Sequence, residues 1–275
     1  MLATHDRQEP TDQINSLAAD LGYLPLALAQ AAAYIIDADL TCASYQELLA
    51  DRLRKLADLL PESGALPDDQ TATVAATWSL PIERVNQIRP AGLARPMLQL
   101  AAFLDPNGIP ATVLTSQPAL AYLTEHRNQA HLATARRARW WTARRHRKPV
   151  AATADEAVSA LQALYRLSLI DHALTTGEVR VHQLIQRTTR DALTPQQRNQ
   201  LGSATADALT AVWPENERDI ALARALRMNA AALTHHSEDT LYQKDRTHPV
   251  LHHLGLTTLG AIECGACWPG GLAGG

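Results

Sequence analysis

The stretch "LIDHALTTGEVRVHQL", residues 169–184, decides how this sequence is interpreted, because it carries the one clear β-strand signal of the chain. Short runs with Ile or Val lie on either side of Thr176-Gly177, a pair that favours a tight turn. We therefore predict two strands, at about 169–174 and 178–182, joined as a hairpin.

Helices are predicted directly before and after this hairpin. Thr153 and Glu156 have the spacing of a capping box, and they open a helix. Its apolar positions at helical spacing are Val158, Leu161, Leu164 and Tyr165. A second helix should run from Gln183 to Leu193. Its inward residues should be Leu184, Ile185 and Thr188. Helices followed by a hairpin are the order typical of a winged helix.

The stretch "LGYLPLALAQAAAYI", residues 21–35, places Gly22 and Pro25 inside an apolar helical run. Both residues are poor in a helix interior. One explanation is a junction, in which Gly22 closes a helix over Thr11–Asp20 and Pro25 begins another that ends at about Ile36. The alternative is a position where the backbone approaches a ligand.

The remaining helices are predicted from caps and breakers. Ser44 and Glu47 have capping-box spacing, and Pro61 should end the helix that they open, before a linker over 61–71. A helix from Ala72 should bend or end at Pro81, unless a second helix starts there. Further helices are expected over Leu93–Leu104, from Thr194-Pro195 onward with Leu201, Ala208, Leu209 and Val212 on one face, and over Asp219–Leu233.

These elements predict a mainly α protein with one small hairpin. We expect a helical subdomain over 10–60, a winged-helix domain over 72–193 with a basic insertion near 124–150, and a helical, repeat-like region over 194–248. A disordered tail should follow over 249–275, because its composition is rich in glycine.

Composition limits the class of protein. The 275 residues are 46% hydrophobic but only 4% aromatic, which suits helix-on-helix packing. No apolar run reaches the roughly 18 residues of a membrane span, and the N-terminus does not resemble a signal peptide. Three cysteines are too few for a disulfide framework. We expect a cytoplasmic protein without a membrane partner.

The charge is unevenly distributed. The net charge is −3, yet one segment without acids carries Arg127, Arg136, Arg137, Arg139, Arg144, Arg145, Arg147 and Lys148. The segment fits either a helix or an inserted flexible loop. With Trp140 and Trp141 it could contact nucleic acid through phosphates and base stacking. It lies outside the helix that would enter a DNA groove, so a solvated insertion is the favoured interpretation and any nucleic-acid binding should be weak.

Three stretches together resemble the STAND-type signalling NTPases, the bacterial NB-ARC proteins. "LGYLPLALAQAAAYI" resembles the Gly-x-Pro segment of the family's first helical domain, and "TVAATWSLPIE" resembles the start of its winged helix. "VRVHQLIQRTTRDAL", residues 179–193, resembles the segment with the Met-His-Asp motif. The helices after Thr194 resemble the approach to a tetratricopeptide array, and the match covers most of residues 10–250.

The resemblance implies roles for two residues. Pro25 would pack near the adenine of a bound nucleotide, and His182 would donate to the β-phosphate of ADP. Val181 stands in place of the motif's Met and Gln183 in place of its Asp. The apolar surface near Pro25, Leu26 and Leu28 would be exposed without a nucleotide domain.

The sequence has no G-x-x-x-x-G-K-[ST] motif, so it lacks the phosphate-binding loop of such NTPases. We expect a fragment with no catalytic residues, no metal and no cofactor. It should contact ADP or ATP only if a P-loop domain is supplied. Its expected function is regulatory, with a nucleotide-binding domain or a repeat-array ligand as protein partner. The alternatives are a winged-helix transcriptional regulator and an NTPase component that acts with a nucleotide-binding domain in trans.

A zinc site is the remaining candidate. Cys264 and Cys267 have C-x-x-C spacing, with His252 and His253 upstream. The ten residues between the two pairs and the Gly-rich surroundings favour free thiols instead.

Overall fold

The structure, a computed structural model, describes Leu2 and residues 8–59, 69–88, 90–137, 151–173, 177–216, 218–243 and 246–255. Over these residues the chain is mainly helical, as predicted. The helices are α1 (Thr11–Asp20), α2 (Pro25–Ala38), α3 (Cys42–Leu59), α4 (Asp69–Gln87), α5 (Ala94–Ala101), α6 (Ala111–Leu114), α7 (Gln117–Arg137), α8 (Ala154–Arg166), α9 (Gln183–Asp191), α10 (Pro195–Ala211) and α11 (Ile220–Leu241). The strands are β1 (Ile109–Pro110), β2 (Asp171–Ala173), β3 (Glu178–Arg180), β4 (Tyr242–Gln243) and β5 (Arg246–Thr247).

Helices α1 to α3 enclose a small apolar core. Leu17, Ile35 and Tyr45 are buried there, one from each helix. Gly22 adopts the left-handed conformation with φ of +61°, and Pro25 is the first residue of α2. The predicted junction between two helices is therefore confirmed.

Helix α4 connects this small core to the larger one. Leu80 belongs to the small core and Val85 to the larger core, five residues later. Pro81 lies between them inside a continuous helix. Of the outcomes predicted for Pro81, an end of the helix or the start of a second one is therefore wrong. Packing on both sides of the proline outweighs its low helix propensity, as tertiary context often does.

The larger core lies between helices α5 to α11 and a three-stranded antiparallel sheet. The strand order is β1-β3-β2, and Val179 in the central strand faces Ile109 on one side and His172 on the other. Val179 is fully buried. The predicted hairpin is confirmed, with β2 and β3 as its strands.

Two of the predicted caps form and one does not. The reciprocal hydrogen bonds of a capping box join Thr153 to Glu156, and a second box begins at Thr194. The box predicted at Ser44 is wrong, because α3 already begins at Cys42. The hydroxyl of Thr41 instead accepts the Ser44 N–H at 3.2 Å.

Helix α9 faces the core differently from the prediction. Ile185 is buried, but Leu184 is 45% exposed and Thr188 is half-buried. The polar side chain of Gln186 takes the buried position instead. The apolar periodicity did not predict this inward face, because Gln186 is buried to donate to two backbone carbonyls at the end of α5.

The C-terminal region is longer than predicted. Helix α11 extends to Leu241, with one non-helical residue at Ser237 (φ −144°, ψ 29°). Residues 249–255 form a further helical segment in which Val250 is fully buried, so the predicted disorder does not hold for this part of 249–275. Residues 256–275 lie outside the described residues.

No single helix in the described part of the chain is long and apolar enough to cross a membrane. The pair α2 and α3 meets that criterion only when taken together, and it is bent by 113°.

Candidate functional site

His182 is the N-cap of α9, two residues after strand β3. Its ring is exposed, and its Nδ1 accepts the backbone N–H of Leu184 at 3.2 Å. An accepting Nδ1 places the proton of the neutral imidazole on Nε2. The cap therefore fixes the tautomer and presents Nε2–H as a hydrogen-bond donor at a helix N-terminus, where an anion is also favoured by the helix dipole.

Helix α9 is held in place by the end of α5. The amide Nε2 of Gln186 donates to the carbonyls of Ala101 and Leu104, at 2.9 Å each. Arg190, one turn later, donates to the carbonyl of Ala102. These carbonyls lie at or just after the C-terminal end of α5, where the last carbonyls of a helix lack the donor that the next turn would supply. The Ala101 carbonyl also accepts the Leu104 N–H at 3.3 Å. Gln186 and Arg190 thus satisfy the end of α5 and fix the direction of the helix that His182 begins.

The two neighbours of His182 have different environments. Val181 is buried, and its N–H donates to the carbonyl of Pro106 at 3.3 Å. Gln183 is exposed as the first residue of α9. Val181, which stands where the family motif has Met, is thus a buried apolar residue. Gln183, which stands where the motif has Asp, is open to solvent.

Pro25 lies at the start of α2, on the other candidate surface. It is exposed, next to Tyr23, which is 67% exposed and has φ of +55°. Leu26 and Leu28 are partly buried, Leu26 against the larger core and Leu28 against the small one. The expectation that both leucines would be exposed is wrong, because each packs on the chain itself.

Helix α2 is anchored to the larger part of the structure by polar contacts. Buried Gln30 donates to the carbonyl of Ser168, after α8, at 3.1 Å. The carboxylate of Asp37 contacts Arg84 Nε at 2.9 Å and Arg166 Nη2 at 2.7 Å. One carboxylate therefore links α2, α4 and α8, and it fixes the Pro25 helix against the helix that precedes the hairpin.

The basic segment is only partly described. Arg127 is buried and pairs with Glu156 Oε1 at 2.9 Å, so it supports the start of α8 and is not available to a nucleic acid. The predicted nucleic-acid contacts lie elsewhere in the segment. The side chains of Arg136 and Arg137, at the end of α7, lie outside the described residues, as do Arg139, Arg144, Arg145, Arg147 and Lys148.

The candidate zinc ligands are not brought together by the described structure. Cys264 and Cys267 lie outside it, and His253 stacks on Trp213 with ring centroids 4.5 Å apart. Among the described residues, no group of three His, Cys, Asp or Glu side chains could hold a metal ion.

A groove of about 580 Å³ lies between α7, α10 and the end of α11. Each of these helices contributes one carboxylate, from Glu125, Asp207 and Asp239. Tyr122 also lines the groove, and its ring lies against that of His126 with centroids 3.9 Å apart and planes tilted by 32°. Burial, together with the negative charge of Glu125, raises the pKa of the Tyr122 hydroxyl, so it is protonated at neutral pH.

The polar groups of the groove are partly fixed by hydrogen bonds. His248 Nε2 lies 3.1 Å from Asp207 Oδ1, while its Nδ1 accepts the Val250 N–H at 3.2 Å. Thr240 donates to Asn199 Oδ1 at 3.0 Å across the two helices. The groove was not predictable from the sequence, because its residues come from three distant helices and share no motif.

The comparisons with known proteins identify one part of the chain. Residues 86–198, from the end of α4 to the first turn of α10, match a family described as a domain of unknown function (DUF7779). No curated protein and no solved structure matches the sequence. The matched segment contains the sheet, the α8 capping box and His182, and this chain is similar to that family over those elements.

Proposed function

We propose that this chain is a regulatory, protein-interacting component of a STAND/NB-ARC-type signal-transduction NTPase, and that it does not hydrolyse nucleotide by itself. The observation that carries the proposal is His182. Its Nδ1 is occupied by the Leu184 N–H, so its Nε2–H is a fixed donor on an exposed ring at a helix N-terminus. That arrangement suits a contact with a phosphate group.

The order of elements supports the winged-helix part of the proposal. Helices α5, α7 and α8 precede the β2–β3 hairpin, and β1 adds a third strand to its sheet. Helices α10 and α11 pack along each other and support the comparison with the start of a helical repeat array. We place the protein in the cytoplasm, where such signalling NTPases act.

The proposed partner is a nucleotide-binding domain that carries a P-loop. The chain itself has no backbone cradle for phosphates and no P-loop lysine. The exposed surface at Tyr23 and Pro25 and the exposed ring of His182 are the parts that we assign to this partner. Nucleotide would then be bound between the two proteins, with His182 as the donor from this side.

The experiment is co-expression with a P-loop domain encoded beside this gene, followed by size-exclusion chromatography. We expect the two proteins to co-elute, and Tyr23→Asp to reduce co-elution because it places a charge in the interface. Tyr242→Asp is the matched control, since Tyr242 is 54% exposed but lies in β4, far along the chain. Separate elution of the two unmodified proteins would contradict the proposal.

A DNA-binding function is the second candidate, and the basic segment is the observation that favours it. The helix before a hairpin enters the groove in winged-helix readers, and here that helix is α8. Its exposed residues include Asp155 and one basic residue, Arg166, which is paired with Asp37. Binding should therefore be non-specific and should fall by orders of magnitude by about 200 mM salt. Sequence-selective binding at that salt concentration, in a gel-shift series, would favour this second function.

A further inference from the structure

We propose that the junction between the end of α9, the start of α10 and the end of α11 is a binding site for a phosphate group. Its chemistry is set by three arginines, Arg187, Arg190 and Arg198, which we call the arginine cluster, and by the ring of His236. The inference goes beyond the proposed function and does not depend on it, because His182 lies at the opposite end of α9.

Three helices meet at this junction. A single short turn joins α9 to α10, and Arg190 and Arg198 lie on either side of it. The end of α11 is held at the same place, because the hydroxyl of Thr240 donates to Asn199 Oδ1, in the first turns of α10, at 3.0 Å. His236, four residues before Thr240, therefore lies close enough to Arg190 for the two groups to interact electrostatically.

The positive charge of the arginine cluster is only partly compensated within the described part of the chain. Arg187 has one acidic neighbour, Asp191, at 3.7 Å, and both side chains of this pair are largely exposed. Arg190 and Arg198 form no ion pair with a described carboxylate. Burial lowers the pKa of Arg190, and the like charges of Arg198 and Arg187 add to this effect while Asp191 opposes it. A bound anion would relieve the repulsion between these guanidinium groups.

Arg190 is the fixed part of the site. Its Nη1 donates to the carbonyl of Ala102, so the guanidinium is held in place and half-buried. A guanidinium has five N–H donors in one rigid plane, and among the described residues Arg190 has no other acceptor. The remaining donors are available to a ligand, and the guanidinium fork matches the oxygens of a phosphate.

A phosphate group fits the cluster better than a single carboxylate does. A phosphate monoester carries up to two negative charges and three acceptor oxygens. Two negative charges balance what is left when one described acid, Asp191, faces three arginines. The same chemistry is present in free inorganic phosphate and in a phosphoserine side chain of a peptide, which clusters of arginine commonly recognise.

The test is titration calorimetry of the full chain at neutral pH and constant ionic strength. The probes are inorganic phosphate, an acetylated phosphoserine tripeptide amide and the same tripeptide without phosphate. We expect saturable one-site binding of at least one phosphate-bearing probe, in the millimolar range because the junction is open to solvent. Tighter binding of the phosphopeptide identifies a phosphorylated segment as the source, and any other order identifies free phosphate. Binding of neither phosphate probe, or equal binding of the unphosphorylated peptide, would overturn the proposal.

Two matched variants separate this site from general attraction of anions to arginine. Arg198→Gln removes an exposed charge of the cluster and should weaken phosphate binding about three- to tenfold, the range for one charged hydrogen bond near the surface. Arg224→Gln, also exposed on α11 but about 18 Å along the helix from His236, should leave affinity unchanged. Equal phosphate affinities of the unmodified chain and Arg198→Gln would contradict the assignment.

Nuclear magnetic resonance gives a second readout that is specific to the junction. Phosphate should shift the ring signals of His236, which are assigned by their loss in His236→Asn. The ring signals of His252, at an exposed position outside the junction, should not move. His236 signals that stay in place while calorimetry shows binding would mean that phosphate binds elsewhere, and the proposal would be wrong.

Discussion

The side-chain oxygen of Asn229, in α11, accepts the backbone N–H of Asp105 at 3.0 Å, across 124 positions of sequence. The amide nitrogen of the same side chain donates to the carbonyls of Gly108 and Ala225, at 2.7 and 2.8 Å. Asn229 is fully buried. One residue therefore joins the C-terminal helix to the turn that precedes β1, and the region over 194–248 is connected to the sheet through a fully satisfied polar contact.

Asn229→Ala tests this connection. The substitution leaves the Asp105 N–H and the Gly108 carbonyl without their partner, and a buried unpaired group costs about 1–3 kcal/mol. We expect the free energy of unfolding to fall by about 2–4 kcal/mol, as measured by urea denaturation. Asn216→Ala, at an exposed position before α11, is the control. A loss below about 0.5 kcal/mol, the range of ordinary surface substitutions, would show that the contact does not stabilise the fold.

Gln186→Met tests the contact between α9 and the end of α5. Methionine has a similar length but cannot donate to the carbonyls of Ala101 and Leu104. We expect a loss of about 1–3 kcal/mol in the free energy of unfolding, because the Leu104 carbonyl loses this donor and the Ala101 carbonyl keeps only the Leu104 N–H at 3.3 Å. Gln162→Met, on the exposed face of α8, should change little. Equal stabilities of the two variants would be inconsistent with the proposed capping.

Acidification should destabilise the protein in part through His236. Burial, with smaller contributions from the positive charges of Arg190 and His235, lowers the pKa of His236 from 6.5 to about 4. The unfolded chain therefore binds more protons than the folded chain between these values, and stability is lost as the pH falls through that window. His236→Asn should reduce this loss, whereas His235→Asn, at an exposed position, should keep most of it because burial is the largest cause of the shift.

The measurement is the free energy of unfolding at several pH values from 7 to 4, compared between His236→Asn and the unmodified chain. Carboxylates contribute to both proteins, so their effect cancels in the difference. A difference that stays constant over the whole range would show that His236 titrates alike in the folded and unfolded chain.

Most local features of the fold, the box at Ser44 excepted, were predictable from the sequence because they depend on residues within four positions of each other. The junction at Gly22 and Pro25, the capping box at Thr153 and the turn before β3 belong to this class. The continuity of α4 through Pro81 and the exposure of Leu184 were not predicted, since both are decided by packing between distant elements.

The functional residues likewise differ in whether the sequence could identify them. His182 was identified through a resemblance of residues 179–193 to a known motif, and the structure adds its role as the N-cap of α9. No local pattern marks Asn229, which lies within an alanine-rich helix. Its role depends on contacts with Asp105 and Gly108, which are far away in sequence, and only a three-dimensional structure reveals it.

The most direct test of the proposed function is the affinity of ADP for the complex of this chain with its P-loop domain. His182→Asn is the informative variant, because asparagine is a good N-cap residue and can keep the Leu184 N–H bonded. It removes the Nε2–H donor, so the helix should persist while the phosphate contact is lost. His252→Asn, at an exposed position outside the proposed interface, is the control.

Titration calorimetry of the purified complexes gives the answer in one experiment. His182→Asn should weaken ADP binding about tenfold or more, the value of a hydrogen bond to a charged group, while the His252→Asn complex should match the unmodified one. The isolated chain should bind neither ADP nor ATP at micromolar concentration. Unchanged ADP affinity of the His182→Asn complex, or saturable micromolar nucleotide binding by the isolated chain, would contradict the account.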